Sequence, residues 1–165
     1  KTTVCELLSQ VESVDTLQEV VDQDELSNYI HGYLSTFKFQ ENRLSNKDRI
    51  YHKCLKNFQN SQSTVVDRSV IGDAAFIEYL FELGKLSESE FRTLYYHARN
   101  VFRVLKDVPE ENVAYVYLHA PLDTIRSRLR HRGNKGEENY SSTYLSDVQS
   151  KSYKLLNIGP RKLFS

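Results

Sequence analysis

Apolar positions in this chain recur at two spacings. Val4, Leu7, Leu8 and Val11 fall three to four residues apart, which predicts one amphipathic helix from Lys1 to Glu12. Thr16 to Val21 is short, with Leu17, Val20 and Val21 apolar, and reads as a strand that carries a lone carboxylate, Glu19. From Glu25 to Phe58 aromatic and aliphatic residues (Tyr29, Tyr33, Phe37, Leu44, Tyr51, Leu55) return at helical spacing with a break near Gly32, so two helices are expected. The polar stretch Asn60 to Ser63 leads into Thr64, Val65 and Val66, a buried strand with the polar tip Asp67-Arg68-Ser69. Helical patterns occupy Ala74 to Leu83 and Glu88 to Leu105, the second opened by Ser87 with Glu90 three places on, the pattern of a capping box. Val113 to Leu118 reads as a third strand. One helix after Pro121 runs through Arg132 and another spans about Tyr140 to Leu156, with the polar loop Gly133 to Glu138 between them.

Strands alternating with long helices predict βαβ units: an α/β fold with a parallel sheet flanked by helices and right-handed crossovers. Ligands of such sheets gather at the carboxyl ends of the strands. Glu19 and the Asp67-Arg68 pair fall near or just past those ends, so polar groups converge on one rim. The chain has no internal repeat or linker, and residues 1–165 read as a single domain.

Composition narrows the chemistry. The 22 basic and 22 acidic residues cancel, so no global field draws the chain to a nucleic-acid polymer or an anionic membrane, and any phosphate it handles is held locally. Cys5 and Cys54 lack the spacing of a zinc or disulfide framework and suit a reducing compartment. No apolar run reaches the length of a bilayer span. The expectation is an intracellular protein, cytoplasmic rather than mitochondrial. The sequence has no Met and opens abruptly on Lys1, as expected of a piece of a longer chain.

Four groups could carry chemistry. Lys1-Thr2-Thr3 at the start of a helix is either an ordinary exposed terminus or the end of a P-loop, whose lysine neutralises phosphate charge and whose hydroxyl binds Mg²⁺. Glu19 is either a strand-edge acid facing water or a general base. Asp67-Arg68-Ser69 is either an ion pair capping the next helix or a phosphate-pinning arginine beside a metal-holding aspartate. Arg126, Arg128, Arg130 and Arg132 form either a solvated helix surface or, with Lys135, a cationic lid at about residues 128–140 that closes on phosphate.

Taken in order, these pieces resemble the deoxyribonucleoside kinases, the group of deoxycytidine, deoxyguanosine, deoxyadenosine and insect multisubstrate kinases, from Lys1 to about Leu156. Lys1-Thr2-Thr3 looks like the end of the family's GxxxxGK loop, with the loop's start and the terminal strands missing. Glu19 falls where a Glu-Pro-Val motif supplies the catalytic base, although Val20 follows here. Phe37-Lys38-Phe39-Gln40 is similar to Phe-x-Phe-Gln, whose glutamine meets the nucleobase, and Tyr29 stands where a tyrosine meets the sugar 3′-hydroxyl. Asp67-Arg68-Ser69 resembles the Glu/Asp-Arg-Ser signature. Arg128, Arg132 and Lys135 resemble the lid cations, and Glu138 the acid that faces the sugar.

The resemblance implies ATP-dependent phosphorylation of a deoxyribonucleoside at its 5′-hydroxyl. Glu19 and Arg68 are then catalytic, Lys1, Thr2, Thr3, Arg128, Arg132 and Lys135 bind ATP, and Thr2 and Asp67 hold Mg²⁺. Tyr29, Phe39, Gln40, Lys47, Asp73 and Glu138 take the nucleoside. A homodimer through the helices after residue 37 is expected on the same ground. Lys47 and Asp73 are read either as solvent-facing helix residues or as a cation–anion pair at the base edge. In the second reading the carboxylate favours an exocyclic amine, hence deoxycytidine or a purine deoxynucleoside over thymidine. The alternatives are a nucleoside-monophosphate kinase of the thymidylate type and a kinase-fold subunit without catalysis.

Overall fold

The computed structural model describes residues 2–11, 13–19, 22–132 and 141–158; the side chains of Thr2, Thr3 and Arg132 lie outside that description. Two short strands, β1 (Val14–Leu17) and β2 (Ser63–Val66), pair in parallel with Val14 opposite Ser63 and Leu17 opposite Val66. β1 thus starts and stops earlier than the Thr16–Val21 pattern predicts, which places Glu19 beyond the strand end; Val20 and Val21 lie outside the described residues. The ladder runs one bond further, from the Asp67 amide to the Leu17 carbonyl at 3.0 Å, so both chains reach the same rim.

The described α-helices are α1 (Thr2–Leu8), α2 (Gln23–Ile30), α3 (Thr36–Gln59), α4 (Val70–Glu82), α5 (Glu88–Arg103), α6 (Leu122–Arg132) and α7 (Ser142–Ile158), of which α1 and α3 pack on the strands. Their boundaries follow local chemistry. Asp22 accepts from the amides of Asp24 and Glu25 to open α2, and Ser35 accepts from Lys38 N to open α3. The expected break between these helices contains Gly32 at φ 78°, a conformation glycine adopts without steric cost. At α5 the predicted capping box is present: Ser87 Oγ accepts from Glu90 N, and the Glu90 carboxylate accepts from Ser87 N at 2.8 Å. α4 begins four residues before the predicted Ala74, directly after Ser69, and Tyr51 Oη accepts from its first amide, Val70 N, at 3.1 Å.

The apolar core lies where α4 meets α5 and α7, and where α3 meets α5. Leu44, Val70, Ala74, Ala75, Ile77, Leu94, Ala98 and Val101 are fully enclosed there. The far end of α3 is pinned to the sheet: Asn57 Nδ2 donates to Asp15 Oδ2 at 2.9 Å and to Thr64 Oγ1 at 3.0 Å, and Lys53 Nζ lies 2.8 Å from Asp15. The Lys53 and Asn57 hydrogen bonds hold the Asp15 carboxyl below its usual range. α3 is therefore a strut anchored to the strands at one end and free to present side chains to the rim at the other.

The expected third strand, Val113 to Leu118, is not a strand. It joins no ladder among the described residues and leaves Tyr115, Val116 and Leu118 exposed. It is tied to α7 instead, with Tyr117 Oη donating to the Gln149 carbonyl at 3.2 Å and Gln149 Nε2 donating to the Ala120 carbonyl at 3.1 Å. A β-rich composition states a preference, and only a neighbouring strand turns it into a ladder. No described helix is long and apolar enough to cross a membrane.

Candidate active site

The rim at the ends of β1 and β2 holds a cluster of buried charges. α3 faces it with Gln40, Arg43 and Lys47, spaced three and four residues apart and so aligned on one side of the helix. α4 contributes Asp73 from its first turn, and the strand ends contribute Glu19 and Arg68. Glu19 Oε1 accepts from Arg43 Nη2 at 2.7 Å and lies 3.7 Å from Lys47 Nζ, while its Oε2 lies 3.8 Å from Arg68 Nη1. Asp73 Oδ1 lies 3.6 Å from Arg43 Nη2, and its Oδ2 3.8 Å from Lys47 Nζ. Lys47 Nζ donates to the Arg68 carbonyl at 2.8 Å.

Arg68 holds that carbonyl in place through an uncommon backbone conformation, φ 74°, one of three non-glycine residues with positive φ among those described. Such conformations cost energy and persist only where their surroundings impose them. The Lys47 bond on one side and the start of α4 on the other do so here.

Burial sets the electrostatics. The Lys47 side chain is 0% exposed, Asp73 3% and Glu19 7%, whereas Arg68 is 42% exposed. Desolvation pulls the Lys47 ammonium down from the ordinary lysine value, opposed by the charges of Asp73 and Glu19. Desolvation also raises the Asp73 carboxyl, opposed by Lys47, Arg68 and Arg43. Among the described residues of this cluster, Gln40 Nε2, a donor, and Asp73 Oδ2, an acceptor, are buried and make no hydrogen bond. Buried polar groups are nearly always satisfied, so each of the two is a group whose complement a ligand can supply.

An aromatic wall borders the cluster. Tyr29 on α2 stacks on Phe39 with ring centroids 4.3 Å apart and planes 3° from parallel, and the Arg43 guanidinium sits 5.8 Å from the Phe39 centroid. Asn42 Nδ2 donates to Glu25 Oε1 at 2.6 Å and fixes α2 against α3.

These features turn the chain toward one family, and comparison with known sequences decides it: the deoxynucleoside kinase profile matches residues 1–159. The chain belongs to the deoxynucleoside kinase family. Two curated relatives bear the name deoxyguanosine kinase. That of Lactobacillus acidophilus is 30% identical over 91 residues, covering 54% of this chain and 40% of the relative. That of Lactobacillus johnsonii is 26% identical over 87 residues, covering 52% of this chain and 39% of the relative. The matched stretches therefore span about two fifths of the length of these relatives. The α/β architecture with its parallel strands agrees with the P-loop kinase fold of the family.

Of the residues expected in the kinase site, Glu19, Arg68, Lys47 and Asp73 come together in one cluster, Gln40 stands on its α3 face, and Tyr29 and Phe39 form the wall beside it. Asp67 is buried at the tip of β2. The solvent-facing readings of Glu19, Lys47 and Asp73 do not hold, because all three are enclosed. Arg128 is exposed on α6, as are Arg126 and Arg130. Lys1, Lys135 and Glu138 lie outside the described residues, as do the side chains of Thr2, Thr3 and Arg132.

Sequence reasoning missed Arg43. The signal was present: the inward stripe of α3 at Phe39, Gln40, Arg43, Leu44, Lys47 and Tyr51 mixes charged and apolar residues at helical spacing. A charge on a buried stripe requires a partner.

Proposed function

We propose that this chain carries the nucleoside-binding side of a deoxynucleoside kinase, which transfers the γ-phosphate of ATP to the 5′-hydroxyl of a deoxyribonucleoside. The observation that supports this best is the pair of unsatisfied buried atoms, Gln40 Nε2 and Asp73 Oδ2, beside a carboxylate held at the strand rim. One donor and one acceptor on protein suit a nucleobase edge, and a nearby carboxylate suits proton abstraction.

In this reading Glu19 takes the proton of the 5′-hydroxyl, a bond forms from that oxygen to the γ-phosphorus, and the bond to the bridging oxygen breaks to release ADP. Arg68 neutralises charge on the transferring group, and Lys1, Thr2, Thr3, Arg128, Arg132 and Lys135 hold the ATP phosphates. Tyr29 and Glu138 orient the sugar, Phe39 lies against the nucleoside, and Gln40, Lys47 and Asp73 read the base. Asp67 and Thr2 would hold Mg²⁺. The buried carboxylate at the tip of β2 fits a cation that takes one or two carboxylates plus substrate phosphates. Bound there, the ion supplies charge neutralisation on the phosphates.

The test uses the full-length protein with Mg-ATP and presents the four deoxynucleosides and their monophosphates as acceptors. Deoxynucleosides are the expected acceptors; turnover of monophosphates alone indicates a nucleoside-monophosphate kinase, and none with either indicates a non-catalytic subunit. Glu19→Gln should lower kcat by about 10²–10⁴, the usual cost of losing a general base, while nucleoside binding stays nearly intact. Equal loss of binding and turnover makes Glu19 a structural carboxylate.

A further inference from the structure

Arg43 has no part in the mechanism above, yet it joins two of that mechanism's carboxylates, Glu19 and Asp73. Its Nη2 is 2.7 Å from Glu19 Oε1 and 3.6 Å from Asp73 Oδ1. Among the described residues, the hydrogen bond it donates is the one Glu19 accepts from a side chain. The other cations near Glu19 are looser, Lys47 at 3.7 Å and Arg68 at 3.8 Å, and Arg68 is 42% exposed. Arg43 is 12% exposed, with its guanidinium near the Phe39 ring. A guanidinium stays charged at any working pH and holds a carboxylate in a fixed orientation, which an ammonium does not.

We infer that Arg43 is a positioning residue that holds Glu19 and Asp73 as one unit, so that the fit of the nucleobase at Asp73 is felt in turnover as well as in binding. The inference rests on the kinase reading above. By bonding Oε1, Arg43 leaves Oε2 as the oxygen of Glu19 that receives the proton. A base that offers an amine satisfies Asp73 Oδ2, and Arg43 stays on Glu19. A base that offers a carbonyl leaves Asp73 without a donor from the substrate. The buried carboxylate then draws on the shared guanidinium, because an unsatisfied buried acceptor is costly at low dielectric. The Glu19 carboxylate loses its orientation in consequence, and kcat falls.

The experiment measures kcat and KM separately for the best deoxynucleoside and for thymidine, with Mg-ATP, on the full-length protein and on its Arg43→Met and Arg43→Lys variants, each checked for folding by thermal melting. The unmodified protein is expected to discriminate against thymidine in both constants. Arg43→Met should lower kcat for the best nucleoside by about tenfold to a hundredfold, the scale of one lost charge-assisted hydrogen bond. The kcat ratio between the two substrates should fall toward one while the KM ratio persists through Asp73. Arg43→Lys should fall between, and it carries the test alone if the Met variant does not fold. An unchanged kcat ratio in the folded variants, a change confined to KM, or an equal fall in kcat for both substrates overturns the inference and leaves the kinase reading standing. An unmodified protein that phosphorylates no deoxynucleoside overturns both.

Discussion

Leu44 and Lys47 lie about one turn apart on α3, and both are 0% exposed. Their burial has opposite energetic meaning. Leu44 joins the apolar contact of α3, α4 and α5, where enclosing such a side chain contributes about 1.5–3 kcal/mol. Lys47 is enclosed at the rim, where burial opposes its charge and Asp73, Glu19 and the Arg68 carbonyl offset that cost. Buried ion pairs do little for net stability and often less than an apolar replacement of the whole group. The apolar region holds the molecule together, and the charged corner suits the ligand-facing role proposed above.

The sharpest way to break this comparison is to remove one side of the corner. Lys47→Met should destabilise the protein by about 3–5 kcal/mol, because Asp73 is left as a poorly compensated buried charge. Urea denaturation measures this, and an unchanged midpoint would mean that the corner is not internally balanced. The same pair of proteins tests the sign of the pH effect. Since burial lowers the Lys47 ammonium, the native state binds fewer protons than the unfolded chain between that lowered value and the free value of about 10.4. Stability of the unmodified protein relative to Lys47→Met should therefore rise with pH across that window, and a flat difference contradicts the assigned shift.

The apolar region should answer in stability alone. Leu94 is fully enclosed in the core, and Leu94→Ala should cost about 2–5 kcal/mol, as transfer and cavity terms combine. At a temperature where the variant remains folded, its ranking of deoxynucleosides should match that of the unmodified protein. A changed ranking would show that the two regions are not separable.

The smallest effect tests whether the corner takes part in base choice. Asp73→Ala should compress the preference for amine-bearing bases over thymine by about tenfold to a hundredfold, the cost of leaving a buried carboxylate without a donor. Catalytic efficiencies for the four deoxynucleosides measure it. An unchanged ranking, or thymidine as the best substrate of the unmodified protein, removes Asp73 from base recognition.

Helix positions, the Gly32 break, the Ser87 capping box, the presence of both strands and the polar tip of the second were legible from the sequence, because they rest on contacts within a few residues. So were most of the residues at the rim, since the order of motifs along the chain carries them. The Val113–Leu118 segment was misread because a strand needs a partner, and that partner is set by tertiary neighbours. The exact end of β1 was also misread, since the ladder with β2 stops at Leu17 opposite Val66. Arg43 went unseen for a related reason: a charged residue on a helix has the same sequence whether it faces water or two carboxylates. Local chemistry thus determined which elements form and which residue types the rim holds. Only packing α3 against the strand ends and α4 decided that Arg43 and Lys47 would be enclosed between Glu19 and Asp73, because burial and charge pairing depend on distances between segments far apart in the chain.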